Sequence, residues 1–144
     1  MALHRYSAFH LVRKQDLNMH GTLIMTHFSE WFLDSAIMNL SFLVDPHLIY
    51  CQKVHGYELH KPIYEGDLIR FESTLIESGH SMLVVYIRVT DARDPKSFIS
   101  EGVLSYRSVD KDIQGVAHHI IINPEGPEDT AIQERGRALA HKLH

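Results

Sequence analysis

The chain has 144 residues, the length of one domain, with 44% hydrophobic and 22% charged residues, a composition that excludes a disordered or fibrous chain. Fourteen Lys and Arg against 18 Asp and Glu leave a net charge of −4, so the broad positive field of a nucleic-acid binder is missing. Apolar runs stop short of a membrane span, Met1–Arg5 offers no secretory core, and the single cysteine, Cys51, makes neither an internal disulfide nor a Cys-rich metal site; a reduced, cytoplasmic setting is expected.

In chain order, Ser7 to Lys14 reads as a first strand, with Phe9, Leu11 and Arg13 alternating against His10, Val12 and Lys14. Gln15 to Thr22 breaks the pattern with loop chemistry: Asp16, Asn18 and Gly21. From Leu23 to about Leu43, Met25, Phe28, Phe32, Ala36 and Leu40 recur at helical spacing, and Ile24, Trp31, Leu33 and Ile37 extend the apolar surface around most of the circumference. A helix of this kind is buried. Strands are then expected over Leu48–Leu59, Leu68–Glu77, Met82–Thr90 and Phe98–Val109, with turns at Lys61–Pro62, Glu65–Asp67, Ser78–His80 and Asp94–Lys96. After Asn123–Pro127, Glu128 to Leu143 reads as a charged, exposed terminal helix with Ile132 and Leu139 as its few apolar contacts.

Consecutive strands joined by short turns predict an α+β domain with an antiparallel sheet wrapped around one long central helix. The division is a domain over 1–122 and a tail over 123–144 with a short exposed helix. A curled sheet leaves an open edge and an incompletely covered apolar face, which a second copy of the chain would cover.

The helix carries one polar stripe, His27, Glu30 and Asp34, bordered by Thr26. Carboxylates on so apolar a helix fit a poorly solvated general base; a solvent-facing stripe or a paired structural acid fits equally. The preceding loop places Asp16, Asn18, His20, Gly21 and Thr22 at a helix start, where free N–H groups favour negative charge and suit a developing oxyanion. Plain capping with a turn glycine is the simpler alternative. Twelve histidines raise a metal reading, but His118–His119 and His141 with His144 have no acid or Cys at ligand spacing, so no metal is expected.

Asp16-Leu17-Asn18-Met19-His20-Gly21-Thr22-Leu23 followed by Glu30-Trp31-Phe32-Leu33-Asp34-Ser35-Ala36 resembles the helix-start and central-helix motif of hotdog-fold acyl-CoA thioesterases (acyl-CoA hydrolases). Leu59 to Leu68 is similar to the family's Pro-x-x-x-Gly-Asp segment, Glu77 to Val84 to a Gly-Arg-Ser-Ser turn, and Tyr106–Asp110 to the end of its last strand. The resemblance spans roughly residues 8–112. It implies a hotdog fold, homodimers with continuous ten-stranded sheets, often tetramers or hexamers of them, and hydrolysis of an acyl-CoA thioester at the dimer interface without a cofactor, CoA being part of the substrate.

By that resemblance Asp34, or Glu30 one turn away, is the catalytic acid, with Asn18 placing the water and Asp16 the next candidate. The backbone around His20, Gly21, Thr22 and Leu23 holds the oxyanion, and Gly79, His80 and Ser81 meet the CoA nucleotide. The sequence departs from the family at Met25 and Thr26, where many relatives have Gly-Gly, at Leu33, which aligns with the bacterial catalytic Asp, and at His80, often an Arg. Asp16-x-Asn18-x-His20 also resembles the hydration motif of hotdog enoyl-CoA hydratases, and a non-catalytic acyl-CoA-binding module is the third reading.

Overall fold

A computed structural model describes residues 1–142; Leu143, the end of the expected terminal helix, and His144 lie outside the described residues. The elements are β1 (His4–Leu11), α1 (Met25–Ser41), β2 (Ile49–Leu59), β3 (Leu68–Ser78), β4 (Met82–Asp91), β5 (Asp94–Ser108) and α2 (Gly126–Lys142). The five strands form one sheet in the order β1-β3-β4-β5-β2, and every pairing is antiparallel. This is the α+β hotdog arrangement, with β1 and β2 as the edges.

Period-two alternation sorts the sheet's side chains. Ile69, Phe71 and Leu75 of β3 with Leu83, Val85, Ile87 and Val89 of β4 pack on one face against Phe28, Phe32, Ala36 and Leu40 of α1. Burying each such side chain contributes roughly 1.5–3 kcal/mol. Gly102 of β5 lets the helix come close, because a Cβ there would stand 2.7 Å from the Gly56 carbonyl oxygen and run into the Phe32 ring. Met25, Leu33 and Met38 of α1 stay exposed, so in a single chain the helix is covered by the sheet on one side and open on the other.

Several boundaries move for local reasons. The sequence places the start of α1 at Leu23, but the Leu23 N–H donates to the Ile63 carbonyl at 2.8 Å and Ile24 is extended (φ −64°, ψ 127°), so the helix starts at Met25. β1 ends at Leu11: Val12 still bonds the Asp67 carbonyl in register, and the chain then enters a 3-10 turn over Lys14–Asp16. β5 begins at Asp94, paired with Asp91, so the Asp94–Lys96 stretch read as a turn is strand.

The tail departs most from expectation. α2 is a 17-residue helix, as long as α1, and it docks on the outer face of the sheet. Ile132, Leu139 and Ala140 pack on Leu3, Ile76, Val84, Tyr86 and Val103, while Asp129, Gln133 and Gly136 are buried. The expected short exposed helix is thus a long helix with a buried face. Among the described residues no helix is long and apolar enough to cross a membrane.

Candidate active site

The loop from Arg13 to Ile24 closes on itself. Asn18 Oδ1 accepts the N–H of His20 at 2.9 Å and of Thr22 at 3.2 Å, its amide nitrogen donates to Thr22 Oγ1 at 3.0 Å, and Gly21 supplies a positive φ of 79°. Asn18 therefore spends its amide oxygen on the loop. The Pro62–Asp67 segment is the matching turn: Gly66 sits at φ 87°, and Asp67 Oδ2 accepts the Tyr64 N–H at 2.8 Å. A bridge between Thr22 and Tyr64 ties the two together.

This bonding decides which amides are free. The Gly21 N–H goes to the Asn18 carbonyl at 3.1 Å, the Leu23 N–H to Ile63, the Ile24 N–H to the Asp16 carbonyl at 2.8 Å, and the His20 and Thr22 N–H groups to Asn18. The donors expected for an oxyanion at His20 to Leu23 are committed elsewhere. Ile24 gives α1 no side-chain cap, so the N–H groups of Met25 and Thr26 have no partner among the described residues. They are the orphan donors of this helix, at the two positions where the sequence departs from Gly-Gly. Beside them runs a groove of about 420 Å³ lined by Asn18, Thr22, Met25, Leu59, His60 and Lys61.

On the other flank of the helix start stand the titratable groups. His27 Nδ1 lies 3.1 Å from Asp16 Oδ1. The His10 ring stacks on Trp31 with centroids 4.5 Å apart and planes 8° apart, and meets Phe71 edge-on. Burial holds His10 below the usual imidazole range, while Asp34 and Asp16 pull the other way. Asp34 is half-buried and Glu30 exposed; neither makes a hydrogen bond or ion pair among the described residues. At about 1.5 Å rise per residue, Glu30 sits about 7–8 Å and Asp34 about 13–14 Å along the axis from Met25. The acid at the helix mouth of the same chain is Asp16.

The turn Gly79-His80-Ser81 lies at the far end. β3 runs from Leu68, beside the mouth, to Ser78, roughly 33 Å at the usual rise. Among the strand arginines, Arg70 bonds Ser7 and Glu72 and Arg88 lies over the Phe98 ring. Arg107, across from Met82 in register, has a buried Nε without a partner and a guanidinium lying against Gly115. The sequence named His27, Met25 and Thr26 but not the Asp16–His27 pair, nor that the amides left unpaired are those of Met25 and Thr26. An alignment of residue types does not show which amides a loop uses up, nor a pairing such as Asp16 with His27.

No protein-family model matches the chain, and no curated protein matches it. Solved structures do. An acyl-CoA hydrolase from Staphylococcus aureus in complex with butyryl coenzyme A, coenzyme A and coenzyme A disulfide superposes with a TM-score of 0.78 at 15% identity, covering 96% of this chain and 82% of that one. An acyl-CoA hydrolase from Bacillus cereus gives 0.78 at 17%, covering 96% and 85%. A hexameric hotdog-fold thioesterase of Campylobacter jejuni gives 0.62 at 18%, covering 88% and 94%. The chain has the hotdog fold of these acyl-CoA hydrolases and thioesterases.

Proposed function

We propose that the chain hydrolyses the thioester of a fatty acyl-CoA or related acyl-CoA to the free acid and CoA. The observation that carries this reading is the uncapped start of α1: two unpaired amides beside a groove, on a fold shared with solved acyl-CoA hydrolases. A thioester carbonyl seated over Met25 and Thr26 gains two N–H donors as its oxygen becomes negative, the interaction that most lowers the barrier to acyl transfer. Asp16 is the carboxylate at that mouth; Asp34 or Glu30 would have to reach it from a second copy. The reaction draws on no resident cofactor, since CoA enters as part of the substrate. An exposed free thiol at Cys51 fits a reducing, cytoplasmic setting.

The working form in this reading is a homodimer, or an assembly of dimers. The mouth and the Gly79–Ser81 turn are at opposite ends of one sheet, too far apart to hold one CoA. Antiparallel pairing of the open β2 edges reverses the second sheet and carries its far end towards the first chain's mouth. Exposed Tyr50 and Val54 on β2 and Met25 and Leu33 on α1 supply the apolar contact. Arg107, which has no acidic partner among the described residues, is then a cation for a CoA phosphate at the end of the sheet that carries His80 and Ser81.

The test is a panel of acyl-CoAs of different chain length with release of free thiol as readout. Thiol release supports the hydrolase. Loss of enoyl-CoA absorbance without thiol would make it a hydratase, and binding without turnover a carrier module.

A further inference from the structure

Asp16 is held from several directions at once. Its Oδ2 accepts the Arg13 N–H at 2.9 Å, its carbonyl accepts the Ile24 N–H, and its Oδ1 faces His27 Nδ1. The Asp16 side chain is only 14% exposed. A carboxylate fixed in this way sets the histidine's tautomer: the proton sits on Nδ1 and the lone pair is left on Nε2. That Nε2 has no hydrogen bond among the described residues, and it is not one of the sealed unpaired atoms, so solvent reaches it. The ring leans on Trp31, with centroids 6.3 Å apart. His27 is in the first turn of α1, next to the amides of Met25 and Thr26. An oriented imidazole with one free nitrogen is therefore carried by the residue that follows the two unpaired donors in the first turn.

We propose that the Asp16–His27 pair is the proton carrier of this site, an inference that rests on the thioester-hydrolase reading above. Nε2 takes a proton from a water as its oxygen attacks the carbonyl carbon. The tetrahedral oxyanion sits at the Met25 and Thr26 amides. When the carbon–sulfur bond breaks, the imidazolium returns the proton to the leaving CoA thiolate, so that water and acyl-CoA become acid and thiol with no other reactant. Asp16 stabilises the imidazolium between the two transfers and stays ionised. The titratable groups near the pair are Glu30 and Asp34, on the same stripe of α1 as His27, and His10 on β1, whose charged form Asp34 and Asp16 favour.

The plain alternative is that the pair only clamps the loop to the helix. His27→Asn separates the two, because its amide nitrogen takes the place of Nδ1 and still donates to Asp16. We expect kcat to fall on the order of 10²–10⁴-fold, with KM and melting temperature close to wild type and the acid limb of the pH–kcat/KM profile lost. Nitrogen NMR on the wild type should show neutral His27 protonated at Nδ1. If His27→Asn keeps the wild-type kcat and acid limb in an active enzyme, or His27 is protonated at Nε2, the proposal is overturned while the hydrolase reading survives. If the wild type itself releases no thiol from any acyl-CoA, both fall.

Discussion

Asn39 is fully buried in a helix whose neighbours are apolar, and its bonding explains why. Its amide nitrogen donates to the carbonyls of His4 at 3.1 Å and Ser73 at 3.0 Å, and its oxygen lies 2.9 Å from His4 Nδ1. Together these fix α1 against β1 and β3. Replacing it with Ala leaves buried acceptors unpaired, and about 1–3 kcal/mol of stability should go; a urea midpoint with unchanged slope measures it, and a loss under about 0.5 kcal/mol, the scale of an inconsequential surface change, would show that the network does not matter. His10 gives a pH signature. The unfolded chain takes up a proton near pH 6.5, the folded chain only lower, so the stability His10 contributes is present above about 6.5 and is lost as pH falls through that window. His10→Phe should lose less stability than wild type between pH 7.5 and 5.5, and equal losses would contradict the burial argument. At this scale the sequence was legible where side chains build their own turns, as at Asn18, Gly21, Gly66 and Asp67. It was opaque at Asn39 and His27, whose partners lie far along the chain or across a loop.

Among the elements, α1 announces itself by its apolar periodicity and α2 does not. The buried stripe of α2 is Asp129, Gln133 and Gly136, which no hydropathy pattern marks as a packing face. Ile132 and Leu139 pack on the sheet as the sequence expects, and the rest of the attachment is polar and steric. Gln133 donates to the Ile76 carbonyl at 2.9 Å, and Asp129 accepts from the backbone of Leu3 and Glu125 and pairs with Arg5. Arg135 and Tyr86 meet the buried Glu101: burial opposes that carboxylate's charge, but the bonds from both hold it below the usual range. Burial and Glu101 push the Tyr86 hydroxyl up to about 12. Gly136 lies against Ile76 and Tyr86 with no room for a Cβ. Gly136→Val should therefore lift α2 from the sheet, seen as rapid proteolysis near the Asn123–Pro127 connection and a lowered melting temperature. An unchanged cleavage rate would mean the helix does not depend on that contact.

For the whole molecule, the order of strands along the chain was readable from alternation and turns, and the fold followed from one long apolar helix among them. The arrangement of the site was not, because it depends on which amides the loops consume and on which end of the sheet each turn occupies. The open β2 edge makes a direct prediction about assembly. Gln52 is exposed on that strand, and Gln52→Pro should block edge pairing, giving a monomer by light scattering and loss of thiol release; an active monomer would refute a shared site. The most direct test of the central claim, that the uncapped start of α1 holds the oxyanion, is thiol release from acyl-CoA by Met25→Pro. Proline is tolerated at the first helical position and removes only the amide hydrogen there, and the extended Ile24 before it suits a following proline. With the fold intact by circular dichroism, the account predicts a fall in kcat on the order of 10²–10³; turnover equal to wild type would contradict it.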